Sequence, residues 1–357
     1  MKGISMRLKA LAAMVAIAAV AAPAGFGSGG AAVAQVAGLN QSGFEAWLPQ
    51  LRAEAERQGV SPATIEQVFP TLQFSARTIQ LDQAQPGGVS NSNAIPPFAP
   101  YKARHVNAAL IARGRDRYAA HIGQLNAIGR RYGVAPSVLV AIWGHETSYG
   151  AVTGDFDLLN SLASLAYEGR RRQLFADEFV ATLKMLERGF PRSRLKGSWA
   201  GATGYPQFLP SVYLRLGVDG DGDGRADIWT SQDDALASIA NYLSNAGWKP
   251  GVPWGVAVTV SAGFNRGGLV TRLVSPRCPR VHERHSQWKT IAEWRRLGLV
   301  AQNGRWPADT EMASLLEPDG PGRTAYLLTT NYRTILDYNC SNFYALSVGL
   351  LADEVSR

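Results

Sequence analysis

Cysteine is almost missing from this sequence: its 357 residues include only Cys278 and Cys340. Two cysteines alone cannot build a structural zinc site, which takes four protein ligands. If the chain works in an oxidising compartment, the two are expected to form a disulfide. Two buried free thiols are the alternative.

Other signatures are absent as well. The sequence has no basic helix and no zinc-finger spacing, which argues against nucleic acid as a partner. No lysine follows the glycines of the segment that begins at Gly197, so this segment is not a phosphate-binding loop. The chain also has no internal repeat. These absences point away from nucleic-acid and nucleotide-phosphate chemistry.

The N-terminus has the layout of an export signal. Three basic side chains precede a small and apolar run from Leu11 to Ala24, and Ala32-Val33-Ala34 fits a cleavage site. A membrane anchor is the alternative, but the run is shorter than the roughly 20 residues that span a bilayer. No cysteine near the cut offers a lipid attachment site. We predict a soluble periplasmic protein with no transmembrane anchor after cleavage.

Charge indicates the kind of partner. The formal net charge of +8 falls to +5 without residues 1–34, which carry three basic and no acidic side chains. A basic exported protein suits an anionic polymer. The run Gly169-Arg-Arg-Arg172 is typical of a solvated face, and a grip on acidic substrate is the alternative. With 46% hydrophobic and 18% charged residues, the chain should be globular.

Helical periodicity dominates the chain after the signal. Ser61 can cap a helix that begins at Pro62, and Gly247 can end a later one. The segment from Asp82 to Pro100 is rich in glycine, proline, serine and asparagine and is predicted to be a surface connection. Helices are expected within 44–74, 101–131, 160–190, 234–246, 288–297 and 341–352, and β structure from Val256 toward Val281 and in 326–332.

One ionisable residue continues an apolar helical stripe. Pro136 suits the first turn of a helix and Gly150 its end, and counting at helical spacing from Leu139 brings Glu146 onto the buried face. Loss of water and the negative end of the helix dipole both favour the protonated carboxyl group. A protonated carboxyl group can cleave a glycosidic bond by protonating its oxygen. A surface glutamate at a frayed helix end is the alternative.

A second informative segment runs from Gly197 to Tyr213. Its three glycines leave room for close approach of a ligand or another backbone. Ser198 and Gln207 supply neutral hydrogen-bonding groups. Flat aromatic faces of the kind that sugar rings pack against come from Trp199, Tyr205 and Phe208. A glycine-rich turn between packed helices is the alternative.

Several motifs occur in one order along the chain. They are Ala141-Ile-Trp-Gly-His-Glu-Thr-Ser-Tyr-Gly150, Gly197-Ser-Trp-Ala-Gly-Ala-Thr-Gly-Tyr-Pro-Gln-Phe208, Asp219-Gly-Asp-Gly-Asp-Gly-Arg-Ala-Asp-Ile-Trp229, Ala240-Asn-Tyr242 and Asp337-Tyr-Asn339. Together they resemble the lytic murein transglycosylase B family. The resemblance covers about Phe44 to Leu351, which is nearly the whole chain after the signal.

The resemblance implies a mainly α fold of the α+β class, with a lysozyme-like helical catalytic core, flanking helices and a small β subdomain. With the sequence patterns above, we divide the chain into a signal peptide (1–34), an N-terminal helical region and linker (35–100), the catalytic core (101–250) with an EF-hand-like loop (219–234), the β subdomain (251–285) and a C-terminal segment that closes the cleft (286–357).

The resemblance also implies the reaction, which is cleavage of the β-1,4 bond between N-acetylmuramic acid and N-acetylglucosamine in peptidoglycan. Glu146 would protonate the leaving oxygen and then take the proton of the muramyl C6 hydroxyl, which closes onto C1 as a 1,6-anhydro product without water. Asp155 and Asp157 are the nearest candidates for a second carboxylate, but they fit loop or cap positions. The alternatives are a hydrolytic muramidase and an inactive murein-binding protein.

By the same resemblance, Ser198 should orient Glu146 or the acetamido group of the substrate, and Gln207 should contact the muramyl sugar. Further cleft residues of the family, including the tail residues that close the cleft, are matched by Tyr101, Tyr242, Tyr338, Asn339 and Tyr344. For each aromatic residue, ordinary core packing is the alternative. A disulfide at Cys340 would hold the segment that bears Asn339.

An acidic loop predicts a metal site. Asp219, Asp221 and Asp223 stand at alternate positions, and the Arg225 carbonyl takes the seventh position of an EF-hand loop. Three close carboxylates repel each other unless a cation lies among them. The ion should be structural: calcium is expected, and sodium with weaker affinity is the alternative. No organic cofactor is expected.

The second half of this loop departs from the EF-hand, because its twelfth position is Thr230 rather than glutamate. The family has a longer loop that a later aspartate closes. Asp234 fits that place best, and Asp233 is second. The partners implied are peptidoglycan glycan strands, with cell-wall synthesis proteins as further candidates. The protein is expected to be a monomer.

Overall fold

The computed structural model describes residues 38–84, 96–271, 278 and 281–357. The predicted signal peptide lies outside these residues, and so does most of the predicted surface connection after Asp82. The last residues of that connection belong to a helix that begins at Phe98, with Pro100 in its first turn. Proline is tolerated there because the first backbone N–H groups of a helix have no partner within it.

Fourteen α-helices make up most of the described part of the chain. They are α1 (Gln41–Arg57), α2 (Pro62–Val68), α3 (Ala76–Gln83), α4 (Phe98–His105), α5 (Ala108–Ala120), α6 (Ile122–Tyr132), α7 (Pro136–Thr147), α8 (Leu158–Glu168), α9 (Arg172–Glu187), α10 (Pro210–Leu216), α11 (Gln232–Asn245), α12 (Ile291–Arg296), α13 (Thr330–Tyr338) and α14 (Asn342–Val355). The segments predicted to be helical contain helices, and Ser61 caps α2 as predicted.

Local sequence explains where these helices begin. A cap side chain accepts an otherwise unpaired backbone N–H two or three residues further on. The capping residues are Asn40, Ser61, Ser75, Asn107, Asp157, Ser231, Thr290, Thr329 and Ser341. None of the helices in the described residues has the length and apolarity needed to cross a bilayer.

Helix α7 is the centre of the helical core. Every residue from Val138 to Gly144 is buried, so the helix is covered on all sides. It packs against α5, α6, α11 and α14. This central helix carries Glu146 in its last turn, so the acid is attached to a helix that is buried on all sides.

In the part of the chain that the structure describes, seven short strands form two antiparallel sheets. A two-stranded sheet pairs β1 (Phe156–Asp157) with β2 (Lys196–Gly197). The other sheet has the order β4-β6-β7-β3-β5, and its strands are β3 (Gly255–Thr259), β4 (Lys289–Thr290), β5 (Val300–Ala301), β6 (Met312–Leu316) and β7 (Ala325–Thr329).

The β structure extends further along the chain than predicted. It begins with β3 at Gly255, and the other four strands of this sheet in the described residues come from residues 289–329. These residues belong to the segment (286–357) that was assigned to closing the cleft. Likewise, the strand predicted over 326–332 ends at Thr329, where α13 takes over. Antiparallel strands pair across long stretches of chain, and the alternation within one strand does not identify its partner.

Strand residues Leu316, Tyr326 and Leu328 pack in the same hydrophobic cluster as the helical core, and two further contacts join the β region to the helices. The Trp254 ring lies against Gly349 of α14, where an added Cβ would come within 2.4 Å of the indole, and its Nε1–H donates to Asp353 at 3.1 Å. Cys278 and Cys340 form the predicted disulfide. This bond joins the turn between α13 and α14, directly after Asn339, to Cys278, which lies between β3 and β4 in the chain.

The arginine run lies at the turn between α8 and α9. Arg170 and Arg171 both bind the carboxylate of Asp82, whose side chain is only 1% exposed, and the Arg172 guanidinium lies 5.3 Å from the Trp47 ring centre. These arginines are therefore engaged by the protein's own groups. They hold the end of α3 to the α8–α9 turn and are not arranged to grip a substrate.

Candidate active site

The helix that carries Glu146 ends in an unusual way. α7 stops at Thr147 rather than near Gly150, because Ser148 (φ 49°) and Tyr149 (φ 63°) both adopt the left-handed conformation. The Tyr149 ring folds back over Gly144, where a Cβ would come within 2.4 Å of it, and its hydroxyl donates to the Leu110 carbonyl at 3.0 Å. This packing fixes the two strained residues that follow Thr147 and so fixes the end of the helix that carries the acid.

Glu146 has one hydrogen-bond partner among the described residues. The Tyr344 hydroxyl donates to its Oε1 at 2.6 Å. Burial raises the pKa of Glu146 to about 7, while the hydrogen bond from Tyr344 acts in the opposite direction by stabilising the carboxylate. The predicted inward orientation and raised pKa are therefore present, and Glu146 is not a surface residue at a frayed helix end.

Tyrosines predicted to line the cleft gather around this acid. The rings of Tyr338 and Tyr344 are nearly parallel with centres 6.4 Å apart, and Tyr242 meets Tyr338 edge-on at 4.8 Å. Tyr338 donates to the Pro206 carbonyl at 2.5 Å, and Tyr242 donates to the Asp337 carbonyl at 2.6 Å. All three rings are buried, so they shape the site, and only Tyr344 directs its hydroxyl to Glu146.

The backbone of the glycine-rich segment passes very close to other backbone atoms. A Cβ on Gly154 would lie 2.2 Å from the Gly197 carbonyl oxygen, and one on Gly197 would lie 2.1 Å from the Ala202 carbonyl oxygen. Only glycine permits these approaches. Of the predicted sugar-stacking faces, Trp199 and Tyr205 are partly exposed, whereas Phe208 is buried in the core and cannot serve as a sugar platform.

Ser198 and Gln207 are both bound to nearby backbone. The Ser198 hydroxyl accepts from the Ala202 N–H at 3.1 Å and makes no hydrogen bond to Glu146. Gln207 has φ 51°, and its side-chain amide donates to the Gly204 and Thr153 carbonyls at 3.0 and 3.1 Å. The strained backbone and the two bonds hold this amide in one orientation.

Asn339 follows the last residue of α13. Its Oδ1 is buried and has no hydrogen-bond partner within the described ranges. A buried acceptor without a partner costs free energy unless a ligand or water supplies the donor. Asn339 is thus placed as a residue that a bound molecule would complete.

Sequence reasoning missed two histidines beside the acid. His145 stacks on His105 with ring centres 4.7 Å apart, and His105 stacks on Tyr101 at 4.0 Å. The edge of Tyr344 meets His145 at 4.4 Å. His145 directly precedes Glu146 in the chain, and this adjacency was the only signal in the sequence. The predicted cleft residue Tyr101 is therefore connected to the acid indirectly, through the rings of His105, His145 and Tyr344.

No second acid cooperates with Glu146 in the described part of the chain. Asp157 caps α8 by accepting the Asn160 N–H and pairs with Arg192 at 2.8 Å, as predicted for a cap residue. Asp155 is exposed in the preceding loop. The pKa of Glu146 responds to burial and Tyr344 and to no other carboxylate. Among the described residues, the site therefore contains one acidic side chain, and its pKa lies near neutral pH.

The acidic loop brings three carboxylates together. Oxygens of Asp219, Asp221 and Asp223 lie within 4.8 Å of one another. Asp219 also accepts the N–H groups of Gly222 and Gly224 at 2.6 and 2.8 Å, which curls the loop around its first carboxylate. The predicted carbonyl ligand, Arg225, follows in the same loop, and its own N–H donates to Asp223 at 2.8 Å.

The two aspartates predicted as candidates for closing the loop make different contacts. Asp234 is fully buried, and its carboxylate accepts three backbone N–H groups, from Gly220, Asp221 and Asp227, at 2.6–3.3 Å. It therefore organises the loop from inside rather than facing an ion. Within the described residues, the Oδ1 of Asp233 is buried and has no hydrogen-bond partner, and burial, together with the Asp221 charge, raises the pKa of Asp233. The clustered oxygens of Asp219, Asp221 and Asp223 are a donor set that fits a calcium ion.

Taken together, a single acid of raised pKa, aromatic walls and a helical core define a general acid–base enzyme of the lysozyme-like class. Residues 43–353 match the family model described as the transglycosylase SLT domain, and the chain belongs to this family. The resemblance predicted from the motifs is confirmed, and with it the class of enzyme, a lytic transglycosylase.

Relatives agree in sequence and in structure. The chain is 31% identical over 271 residues to the membrane-bound lytic murein transglycosylase B of Escherichia coli strain K12, which covers 73% of this chain and 70% of that protein. SltB3 from Pseudomonas aeruginosa in complex with NAG-anhNAM-pentapeptide matches with a TM-score of 0.77 and 38% identity over 88% of this chain and 79% of its own.

A further structural neighbour was solved with calcium. The Escherichia coli lytic transglycosylase Slt35 in complex with calcium matches with a TM-score of 0.70 and 27% identity, over 89% of this chain and 93% of its own. These neighbours confirm the predicted mainly α fold with a lysozyme-like core.

Proposed function

We propose that Glu146 is both the acid and the base of a lytic transglycosylase that cleaves the β-1,4 bond between N-acetylmuramic acid and N-acetylglucosamine in peptidoglycan. The observation that carries this proposal is the state of Glu146: a half-buried side chain whose pKa is raised by loss of water to about 7, with no perturbing carboxylate nearby among the described residues. The SltB3 neighbour, which binds an anhydro-muramyl fragment, supports the same reaction.

The reaction has two proton transfers. Protonated Glu146 gives its proton to the glycosidic oxygen as the bond to C1 of the muramyl sugar breaks, and the N-acetylglucosamine side leaves as an alcohol. The Glu146 carboxylate then takes the proton of the muramyl C6 hydroxyl, whose oxygen bonds to C1. The product is a 1,6-anhydro ring, the acid is restored, and no water is consumed.

Tyr344 stabilises the Glu146 carboxylate that exists between the two proton transfers. Its hydroxyl donates to Glu146 at 2.6 Å, and such a bond is strongest when the acceptor is a carboxylate. Burial opposes that charge, and the hydrogen bond compensates part of the opposition. The balance leaves both protonation states accessible near neutral pH, as a group that first gives and then takes a proton requires.

The remaining predicted residues are proposed to bind the glycan strand. Asn339 has the unpartnered buried oxygen that an acetamido N–H or a hydroxyl would satisfy. Gln207 would contact the muramyl sugar from its fixed loop, and Ser198 would act on the acetamido group rather than on Glu146, since it does not reach the acid. Tyr101, Tyr242 and Tyr338 would shape the cleft. The segment 286–357 would close it through Tyr338, Asn339 and Tyr344.

A structural calcium ion is proposed in the acidic loop, with sodium as the weaker alternative. Asp219, Asp221, Asp223, the Arg225 carbonyl and Asp233 would hold it, while Asp234 would orient the loop backbone. The clustered oxygens and the unpartnered Asp233 Oδ1 support this proposal, and so does the calcium complex of Slt35. The ion would neutralise the loop and takes no part in proton transfer.

The location and partners follow from the substrate. We propose a periplasmic enzyme released by signal cleavage, acting as a monomer on glycan strands and working beside cell-wall synthesis proteins. Its residual charge of +5 and the disulfide between Cys278 and Cys340 suit an anionic polymer in an oxidising compartment.

Digestion of purified sacculi tests the function. Muropeptides released by the wild-type protein should be lighter by one water than hydrolysed ones, as mass spectrometry detects directly. Asp155→Asn should leave this product unchanged, because the exposed Asp155 is not expected to act. Reducing muramic ends in place of anhydro ends would instead support the hydrolytic muramidase. Loss of those reducing ends in Asp155→Asn would support it as well.

A further inference from the structure

His145 occupies a special place beside the acid. It lies in the last turn of α7, and its ring is inserted between two others: it is parallel to His105, with 4.7 Å between centres and 12° between planes, and it meets the edge of Tyr344 at 4.4 Å and 67°. Tyr344 is the only hydrogen-bond partner of Glu146 among the described residues. His145 therefore touches the residue that controls the acid.

The support for His145 comes from another helix. His105, at the end of α4, stacks on Tyr101 at 4.0 Å, and its Nδ1–H donates to the Tyr101 carbonyl at 2.9 Å. This hydrogen bond fixes the plane of the His105 ring, and that ring in turn backs His145. The stacked rings of Tyr101, His105 and His145 thus connect α4 to Tyr344, so the placement of α4 affects the placement of the Tyr344 ring.

Tyr344 is confined from both sides. The nearly parallel Tyr338 ring lies 6.4 Å away, and His145 meets Tyr344 at 4.4 Å. A tyrosine ring between two fixed neighbours loses its rotamer freedom, so its hydroxyl remains where Glu146 can accept from it. Removal of either neighbour would allow the ring to turn and the 2.6 Å hydrogen bond to lengthen.

The chemistry of His145 is that of an uncharged flat ring. Its Nε2 is buried without a hydrogen-bond partner, and burial lowers the pKa of His145 to about 3, so the ring is neutral at working pH. The titratable or charged groups around this cluster are Tyr101, Arg104, His105, Tyr338, Tyr344 and Glu146. No carboxylate other than Glu146 is among them.

We infer that His145 is a positioning residue for the reaction: supported by His105, its neutral ring holds the Tyr344 hydroxyl on Glu146. The inference rests on the proposed role of Glu146 and adds to it a residue that touches neither the substrate nor the acid's proton. A ring without ionisable nitrogens would do the same work, whereas a small side chain would not.

Two substitutions separate the ring from its nitrogens. His145→Ala should lower kcat about 10- to 100-fold, the cost of losing one hydrogen bond to a charged group, with little change in KM. It should also move the alkaline limb of the kcat–pH profile to higher pH, because Glu146 would lose the bond that stabilises its carboxylate. His145→Phe retains a flat ring and should stay within a few-fold of wild type with its pH limb in place.

A double-mutant cycle isolates the route of the effect. Tyr344→Phe removes the hydroxyl, so adding His145→Ala to it should cause no further loss of kcat. His282→Ala is the matched control: it is also a buried histidine, with an unpartnered Nδ1 and an edge-on contact to another histidine at 5.1 Å, but it does not touch Tyr344. It should lower thermal stability and leave the pH limb of kcat unmoved.

Three results would overturn the inference. The first is an unshifted pH limb in His145→Ala. The second is a full additive loss in the double variant. The third is inactivity of His145→Phe with a raised KM, which would mean that the nitrogen binds substrate; this last variant keeps a flat aromatic ring in place and so can be measured even if His145→Ala does not fold. Inactivity of wild-type protein on sacculi would instead refute the proposed function itself.

Discussion

At the scale of single residues, the chemistry depends on two opposing effects on one carboxyl group. Burial raises the pKa of Glu146 to about 7, and the Tyr344 hydroxyl limits that rise. Without burial the group would be a carboxylate at neutral pH and could not protonate the glycosidic oxygen. Without Tyr344 the carboxylate formed after the first transfer would be poorly stabilised. The pair therefore explains how one residue can serve both steps.

Glu146→Gln should reduce turnover by at least the ~10²- to 10⁴-fold that a general acid supplies, while murein binding persists. Kinetics on muropeptides and co-sedimentation with sacculi measure the two properties. The exposed Asp155→Asn is the matched control and should stay near wild type. Turnover of Glu146→Gln close to that of wild type would contradict the assignment of the acid.

The same variant should change the pH dependence of stability. Glu146 titrates near 4.5 when unfolded and near 7 when folded. The folded state therefore binds more protons in this window, and the free energy of unfolding falls as pH rises through it. Glutamine does not titrate, so Glu146→Gln should exceed wild type in stability by about 1–3 kcal/mol at pH 8 and not below pH 4.5. Denaturant unfolding at both pH values measures this, and an equal difference at both would contradict the raised pKa.

Residue patterns predicted some of these features and not others. Helical spacing from Leu139 was sufficient to orient Glu146 inward, because an amphipathic period is a local property. The stack of His105 on His145 depends on how α4 packs against α7, so no local pattern indicated it. Asp233 and Asp234 differ by one residue, or about 100° of helix rotation, and only the packing of α11 decides which carboxylate accepts the backbone N–H groups of the loop.

At the scale of elements, the acidic loop should respond differently to replacement of its two final aspartates. Asp233→Asn should remove the gain in melting temperature that calcium gives and leave the calcium-free protein nearly unchanged. Asp234→Asn should lower the melting temperature with and without calcium, because this carboxylate accepts three backbone N–H groups. Thermal melts with calcium and with a chelator decide this, and calcium-dependent stabilisation surviving in Asp233→Asn would contradict its role as ligand.

Helices were easier to predict than strands for a physical reason. Caps such as Ser61 and Ser231 lie next to the helices they begin, so the sequence alone contains the signal. The five-stranded sheet pairs β3 with β7 and β5, which lie 40 or more residues away in the chain, and those strands are only two to five residues long. Short, distant partners leave no periodicity strong enough to predict their pairing.

At the scale of the whole molecule, the disulfide should matter to both stability and the site. Cys278 and Cys340 are 62 residues apart in the chain. Because the bond lowers the entropy of the unfolded chain, it is expected to stabilise the folded state by about 4 kcal/mol. Replacing both cysteines by alanine should lower the free energy of unfolding by roughly 2–5 kcal/mol. Urea denaturation measures this loss, and an unchanged midpoint would contradict the expected contribution.

The class of the molecule was evident from its motifs, but the way in which its parts meet was not. The motifs around Glu146 and Gly197 identified a lysozyme-like enzyme with one acid. They did not indicate that the sheet takes strands from 289–329 or that Trp254 locks it onto α14. Such contacts depend on tertiary packing, which no single segment encodes.

The most direct test of the account is digestion of sacculi in water enriched in oxygen-18, followed by mass spectrometry of the muropeptides. If the muramyl C6 hydroxyl is the nucleophile and Glu146 takes its proton, the new ends are 1,6-anhydro rings that contain no solvent oxygen. Label appearing at the severed anomeric carbon would mean that water attacks there, and the account of a single acid serving both proton transfers would be wrong.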